Sequence, residues 1–188
     1  MMSSLPAVLG TGTLSPAELS ALRLDGEAVS LGLGCMLPAD LPECPETRLD
    51  AVLQLLRPTE RSRLIVSGLS AAWVWRAAPA RPRVEEFAAP AHERYRPAAS
   101  PAFIVRELRL TGRDIVDLGV GRVLSPARLL VELAGRPSAS DALLAAVAAA
   151  SGRGVSSLLA EQERVAMRRA AATRRRSGRA EEVQRDAG

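Results

Sequence analysis

The stretch from Leu64 to Pro79 limits most severely what this chain can fold into. A short apolar run, Leu64-Ile65-Val66, passes through Ser67-Gly68-Leu69-Ser70 into a helical stretch carrying Ala71, Ala72, Trp73, Val74 and Trp75, which Pro79 is expected to stop. The run is short and rich in β-branched residues, so it reads as a buried strand that leads straight into a helix. The same change of element type recurs downstream. Val84 to Ala88 and Phe103 to Leu110 read as strands, the second alternating Phe103, Val105, Glu107 and Arg109 against Ile104, Arg106, Leu108 and Leu110. Asp114 to Leu118 and Arg122 to Leu124 add two more, joined by Gly119-Val120-Gly121. This order predicts an α+β fold with a mixed strand-helix core.

The flanks supply the rest. Ser15-Pro16-Ala17-Glu18 has the composition of a helix start, with Ser15 as cap, Pro16 in the first turn and Glu18 completing a capping box ahead of Leu19 and Leu22. Ala28 to Leu37, interrupted at Gly32 and Gly34, predicts a hairpin. Pro38, Pro42 and Pro45, with acids between them, read as a linker. Thr47 then suits a helix cap, with Leu49, Val52, Leu53, Leu55 and Leu56 on one broad face and an end at Pro58. Beyond Ser125, Pro126 opens a helix with Leu129, Leu130 and Leu133 inward, ending at Gly135. Ser138 or Ser140 caps another with Leu143, Leu144, Val147 and Ala148 inward. A third is expected from about Val155 to an arginine cluster, with Val155, Leu158, Leu159 and Val165 on its apolar stripe.

Charge is distributed unevenly. Residues 1–60 carry three arginines and eight acids, residues 61–163 carry 14 and 10, and residues 164–188 carry eight and three, so positive potential concentrates at the C-terminal end. All 25 basic residues are arginine, which leaves no lysine to act as base, nucleophile or Schiff-base former and favours forked contacts to phosphate or carboxylate. The apolar run from Ala142 to Ala150 is far short of the roughly 20 residues that a membrane-spanning helix needs. The N-terminus, MMSSLPAVLG, has neither a positive start nor a long apolar run before a cleavage site, so a cytoplasmic location is expected, without a membrane partner. Cys35 and Cys44 are expected to be unpaired there.

Two segments carry a resemblance. Leu64-Ile-Val-Ser-Gly-Leu-Ser-Ala-Ala-Trp-Val-Trp75, followed by Val120-Gly-Arg-Val-Leu-Ser-Pro-Ala-Arg-Leu-Leu-Val-Glu-Leu-Ala134, resembles the antitoxin-like proteins of the AbiEi family, especially actinobacterial ones. These pair a strand-helix "SxxTAAxLWG" segment with a later "TSPxRTxxDLA" segment. Ser70, Trp73, Ser125, Pro126 and Arg128 match; Arg76 stands where the pattern usually has glycine, Leu129 where it has threonine and Glu132 where it has aspartate. The likeness spans roughly residues 15 to 135. It implies an N-terminal winged helix that binds promoter DNA and a C-terminal domain that counters a cognate nucleotidyltransferase toxin in a type IV toxin-antitoxin system. On this reading residues 1–45 form a reduced winged-helix-like module and linker, and 46–135 a mixed α+β core of AbiEi type. Residues 136–176 form C-terminal helices with an arginine-rich end, and 177–188 a disordered tail.

The candidate binding residues follow from chemistry. Arg164, Arg168, Arg169, Arg174, Arg175 and Arg176 form the strongest charge feature and are candidates for nucleic-acid contact, through phosphates of double-stranded DNA and not through base stacking, because aromatics are only 3% of the chain. A solvated, fraying helix end is the competing reading. Trp73 and Trp75 lie about 200° apart around a helix, so they cannot both face one core and one is a candidate for a second layer or a partner. Arg128 is a third partner candidate, with pairing to Glu132 at i+4 as the plainer expectation. Catalytic readings are weak. His92 is the only histidine, Cys35, Cys44 and His92 lack a fourth zinc ligand, and Glu85, Glu86 and Glu107 lack the lysine that nuclease chemistry usually needs. No cofactor or metal is expected. The functional expectation is a stoichiometric regulator, a homodimer on inverted repeats if it binds DNA. The alternatives are a protein-binding module without DNA binding and an orphan remnant of the family.

Overall fold

The computed structural model describes residues 7–91 and 100–151. Pro16–Leu24 forms helix α1, and the capping box is complete: Ser15 Oγ accepts from the Glu18 N–H, and Glu18 accepts in turn from the Ser15 N–H at 2.7 Å. Strands β1 (Ala28–Gly32) and β2 (Cys35–Pro38) pair antiparallel. Their connection is Leu33-Gly34, with φ 50° and 73°. Positive φ at both central residues gives the turn whose twist matches that of the paired strands. One face of this hairpin, with Ala28 and Met36, holds Leu19 of α1, while the other sends Leu31, Cys35 and Leu37 into the main core.

Helix α2 spans Pro45–Leu53, and α3 is a single turn, Pro58–Arg61. Thr47 is therefore not the cap. Cys44 is, with extended backbone, and Thr47 sits inside the first turn, where its Oγ1 accepts from the Cys44 N–H at 3.0 Å. Pro45 explains the earlier start, since its fixed φ suits the first helical position. Nor does α2 continue to Pro58. Arg57 is extended, as a residue before proline prefers, and Pro58 opens α3 instead of closing α2.

Five strands make the second sheet, in the order β5-β4-β3-β7-β6. They are β3 (Ile65–Val66), β4 (Glu85–Pro90), β5 (Phe103–Leu108), β6 (Ile115–Asp117) and β7 (Arg122–Leu124). β3 runs antiparallel to β4 and parallel to β7; β4 and β5 are parallel; β6 and β7 are antiparallel. The expected α+β class is what the chain adopts. Helix α4 (Gly68–Val74) follows β3, α5 (Pro126–Ala134) follows β7, and α6 (Asp141–Ala150) packs on α5. Ser125 and Ser140 cap the last two through hydrogen bonds from the N–H groups of Arg128 and Leu143. Pro79 does not stop α4, which closes earlier, at Trp75, through its own backbone hydrogen bonds.

Leu49, Val52 and Leu53 of α2, Ile65 and Val66 of β3, Phe87 of β4, Leu124 of β7 and Leu129, Leu130 and Leu133 of α5 are fully buried and form the centre of the core. Every residue of β4 is buried, so this strand is covered on both faces. No helix among the described residues is long and apolar enough to cross a membrane. No disulfide joins Cys35 and Cys44.

Candidate functional site

The two tryptophans of α4 point apart, as their spacing requires, but both are engaged inside the chain. Trp73 is 4% exposed. Guanidinium groups cover its ring, Arg48 at 4.9 Å and Arg81 at 5.4 Å from the ring centroid, an arrangement in which the ring's negative face attracts the cation. Arg48 also donates to the Trp73 carbonyl at 2.6 Å and pairs with Glu43. Trp73, read from sequence as a partner contact, is thus withdrawn beneath two arginines and presents no free face. Trp75 is half-buried, and its indole N–H donates to the Leu124 carbonyl at 2.8 Å, which uses its polar handle to tie α4 to β7.

Arg128 lies half-buried in the first turn of α5. The expected pairing with Glu132 is not formed. Glu132 has turned the other way along the helix to Arg136, at the opposite i+4 spacing, and also accepts from the Gly68 N–H at 3.4 Å. Arg136 is the better partner because it also reaches Glu86, with contacts of 2.9 and 2.7 Å, so one guanidinium neutralises two carboxylates.

Glu85 and Glu86 are the buried charges that sequence reading placed on a strand without finding their partners. Glu85 is wholly buried; it accepts from the Ser70 hydroxyl and pairs with Arg81 at 2.5 Å. Glu86 accepts from the Leu69 N–H at 3.1 Å, and its own N–H donates to Ser70 Oγ at 2.8 Å. Burial alone would raise the Glu86 carboxyl, but the Arg136 hydrogen bond and charge, the Leu69 N–H and the Arg106 charge together hold it below its ordinary range. Hydrogen bonding to Glu86 raises Arg136 in turn, against the opposing effect of burial. Each buried carboxylate is thus paired with an arginine, Glu85 with Arg81 and Glu86 with Arg136. Ser70 Oγ is buried and links the two residues, donating to Glu85 and accepting from the Glu86 N–H.

Arg81 joins these parts. Beyond Glu85 and Trp73, it donates to the carbonyls of Leu31 at 3.4 Å, Gly32 at 3.0 Å and Ala51 at 2.9 Å. One side chain therefore ties the N-terminal hairpin, the end of α2 and strand β4 together. Its signal in the sequence was the i, i+4 spacing to Glu85, and the signal for Arg136 was the same spacing to Glu132.

Arg164, Arg168, Arg169, Arg174, Arg175 and Arg176 lie outside the described residues, as do His92 and the helix expected from about Val155. Among the described residues no group of three or more histidine, cysteine or acidic side chains could hold a metal ion. No protein-family model matches this chain, and no curated protein matches it.

Proposed function

We propose that this protein is an antitoxin-like transcriptional regulator of the AbiEi type, which binds promoter DNA, a cognate nucleotidyltransferase toxin, or both, stoichiometrically. One observation carries this reading. The two segments on which the resemblance rests are separated by some fifty residues, yet they meet as neighbouring strand-helix units: Val66 of β3 pairs in parallel with Val123 of β7, and α4 packs against α5. Ser70 and Trp73, which match the pattern, are both buried on α4, and Ser125 caps α5. Their occurrence together is what a shared packing unit would require.

The reduced N-terminal module, one helix and one hairpin between residues 7 and 44, stands for the winged helix on this reading. Its exposed acids, among them Glu18, Asp25, Glu27 and Asp40, repel a phosphate backbone and favour a second reading in which the protein docks a protein partner without DNA. The two are separated by retention of the full chain on duplex DNA across a salt series. Retention that falls steeply with salt, and is lost when Arg168, Arg169, Arg174, Arg175 and Arg176 are replaced by alanine, supports DNA binding through the basic end. Absence of retention, with capture of a nucleotidyltransferase encoded beside the gene, supports the protein-docking reading. Neither retention nor capture leaves the orphan remnant.

A further inference from the structure

Arg76 has φ 61°, in the left-handed region that glycine enters without steric cost and other residues enter with strain. The fold demands this conformation. The Arg76 N–H donates to the Trp73 carbonyl at 2.9 Å and the Ala77 N–H to the Ala72 carbonyl at 2.8 Å, the pair of bonds that closes a helix around one left-handed residue. Glycine would meet the demand more cheaply. The arginine side chain is exposed and has no hydrogen-bond or ion-pair partner among the described residues, so it returns nothing to their stability.

The loop that Arg76 opens carries charge of one sign. Between Trp75 and Glu85 it holds Arg76, Arg81 and Arg83 and no acid. Arg81 is locked inward on the carbonyls of Leu31, Gly32 and Ala51, which fixes the middle of the loop, and Arg83, like Arg76, is exposed. We propose that Arg76 and Arg83, the exposed arginines of this loop, form a phosphate-contact surface for double-stranded DNA. This rests on the DNA-binding arm of the proposed function. Unmixed positive charge on the loop fits a uniform polyanion better than a protein surface of both signs. Aromatic residues make up only 3% of the chain, which leaves few rings for base stacking and favours a duplex over a single strand.

The test compares full-length wild type with Arg76→Gly, Arg76→Lys and Arg83→Ala on a short synthetic duplex of mixed sequence. Arg76→Gly is expected to raise Tm by about 2–4 °C through relief of strain, while weakening retention several-fold and lowering the salt dependence by about 0.9 per lost phosphate contact. Arg83→Ala weakens retention with Tm unchanged, and Arg76→Lys keeps the salt dependence. If wild type is retained and Arg76→Gly and Arg83→Ala are retained equally, the surface is refuted and the regulator reading stands. If wild type itself is not retained, both the surface and the DNA-binding arm fall. A lower Tm for Arg76→Gly, or weakened capture of a nucleotidyltransferase with duplex retention intact, also overturns the proposal, the latter by assigning the arginine to a protein carboxylate.

Discussion

Two buried carboxylates, Asp50 and Glu86, are displaced in opposite directions, and the difference lies in what surrounds each. Burial raises Asp50, and the Val8 N–H at 3.3 Å and the charge of Arg61 offset this only in part. Glu86 is lowered because Arg136 lies in direct contact and two more groups assist. For Asp50 the folded value exceeds the ordinary 3.8, so ionisation costs stability at neutral pH and the cost disappears as pH falls through the folded value. Glu86 behaves in the reverse sense, contributing stability above 4.5 that is lost as pH falls below it. Asp50→Asn, which keeps an oxygen for the Val8 N–H, is therefore expected to raise Tm at pH 7, with the gain shrinking to nothing below about pH 4. Glu86→Gln is expected to lower Tm at pH 7, with a loss that shrinks on acidification. Thermal melts of the three proteins across this range decide both, and a gain for Asp50→Asn that grows on acidification would refute the account.

At the level of elements, the turn between β6 and β7 is set against α2 at one point. A side chain at Gly121 would collide with the Leu53 methyl group, and Leu53 is fully buried. Gly121→Ala is expected to destabilise the protein by about 1–3 kcal/mol, the usual cost of overpacking. Leu53→Ala should cost about 2–5 kcal/mol alone by leaving a cavity. Together they should cost clearly less than the sum of the two, because the new methyl fills part of that cavity. Additive losses in denaturant titrations would show that the turn does not bear on α2. The glycine pair at 119 and 121 was legible as a turn, but its closeness to a helix some seventy residues earlier was not. The same limit separates what could be read from what could not. Ser15-Pro16-Ala17-Glu18, Ser125-Pro126 and the run Leu64-Ile65-Val66 announce their elements because caps, prolines and branched residues act over a few positions. Thr47 misled because Cys44-Pro45 supplied the helix start without a strong side-chain cap. The candidate site was less legible still: Arg128 and Arg136 stand at equal spacing on either side of Glu132, and only Glu86, fifty residues away from Arg136, decides between them.

For the molecule as a whole, the proline-rich stretch at 38–45 suggests a joint, yet the hairpin before it is built into the same core as the sheet after it. Val8, Leu31, Cys35 and Leu37 are buried in the main cluster. Burial of side chains of this kind stabilises by about 1.5–3 kcal/mol each, so four of them amount to much of the about 5–15 kcal/mol by which a domain is ordinarily stable. Removing them would also strip Arg81 of two of its three carbonyl acceptors, Leu31 and Gly32, and Asp50 of the Val8 N–H, which would leave buried polar groups without partners. A chain shortened to residues 45–188 is therefore expected to lose cooperative unfolding altogether, although the sheet, its helices and every segment of the resemblance are retained. The full chain should instead melt in one transition, with near-ultraviolet circular dichroism, which follows Trp73 beneath Arg81, coinciding with far-ultraviolet signal. A shortened chain that melts sharply near the temperature of the full one would make the hairpin a separate appendage.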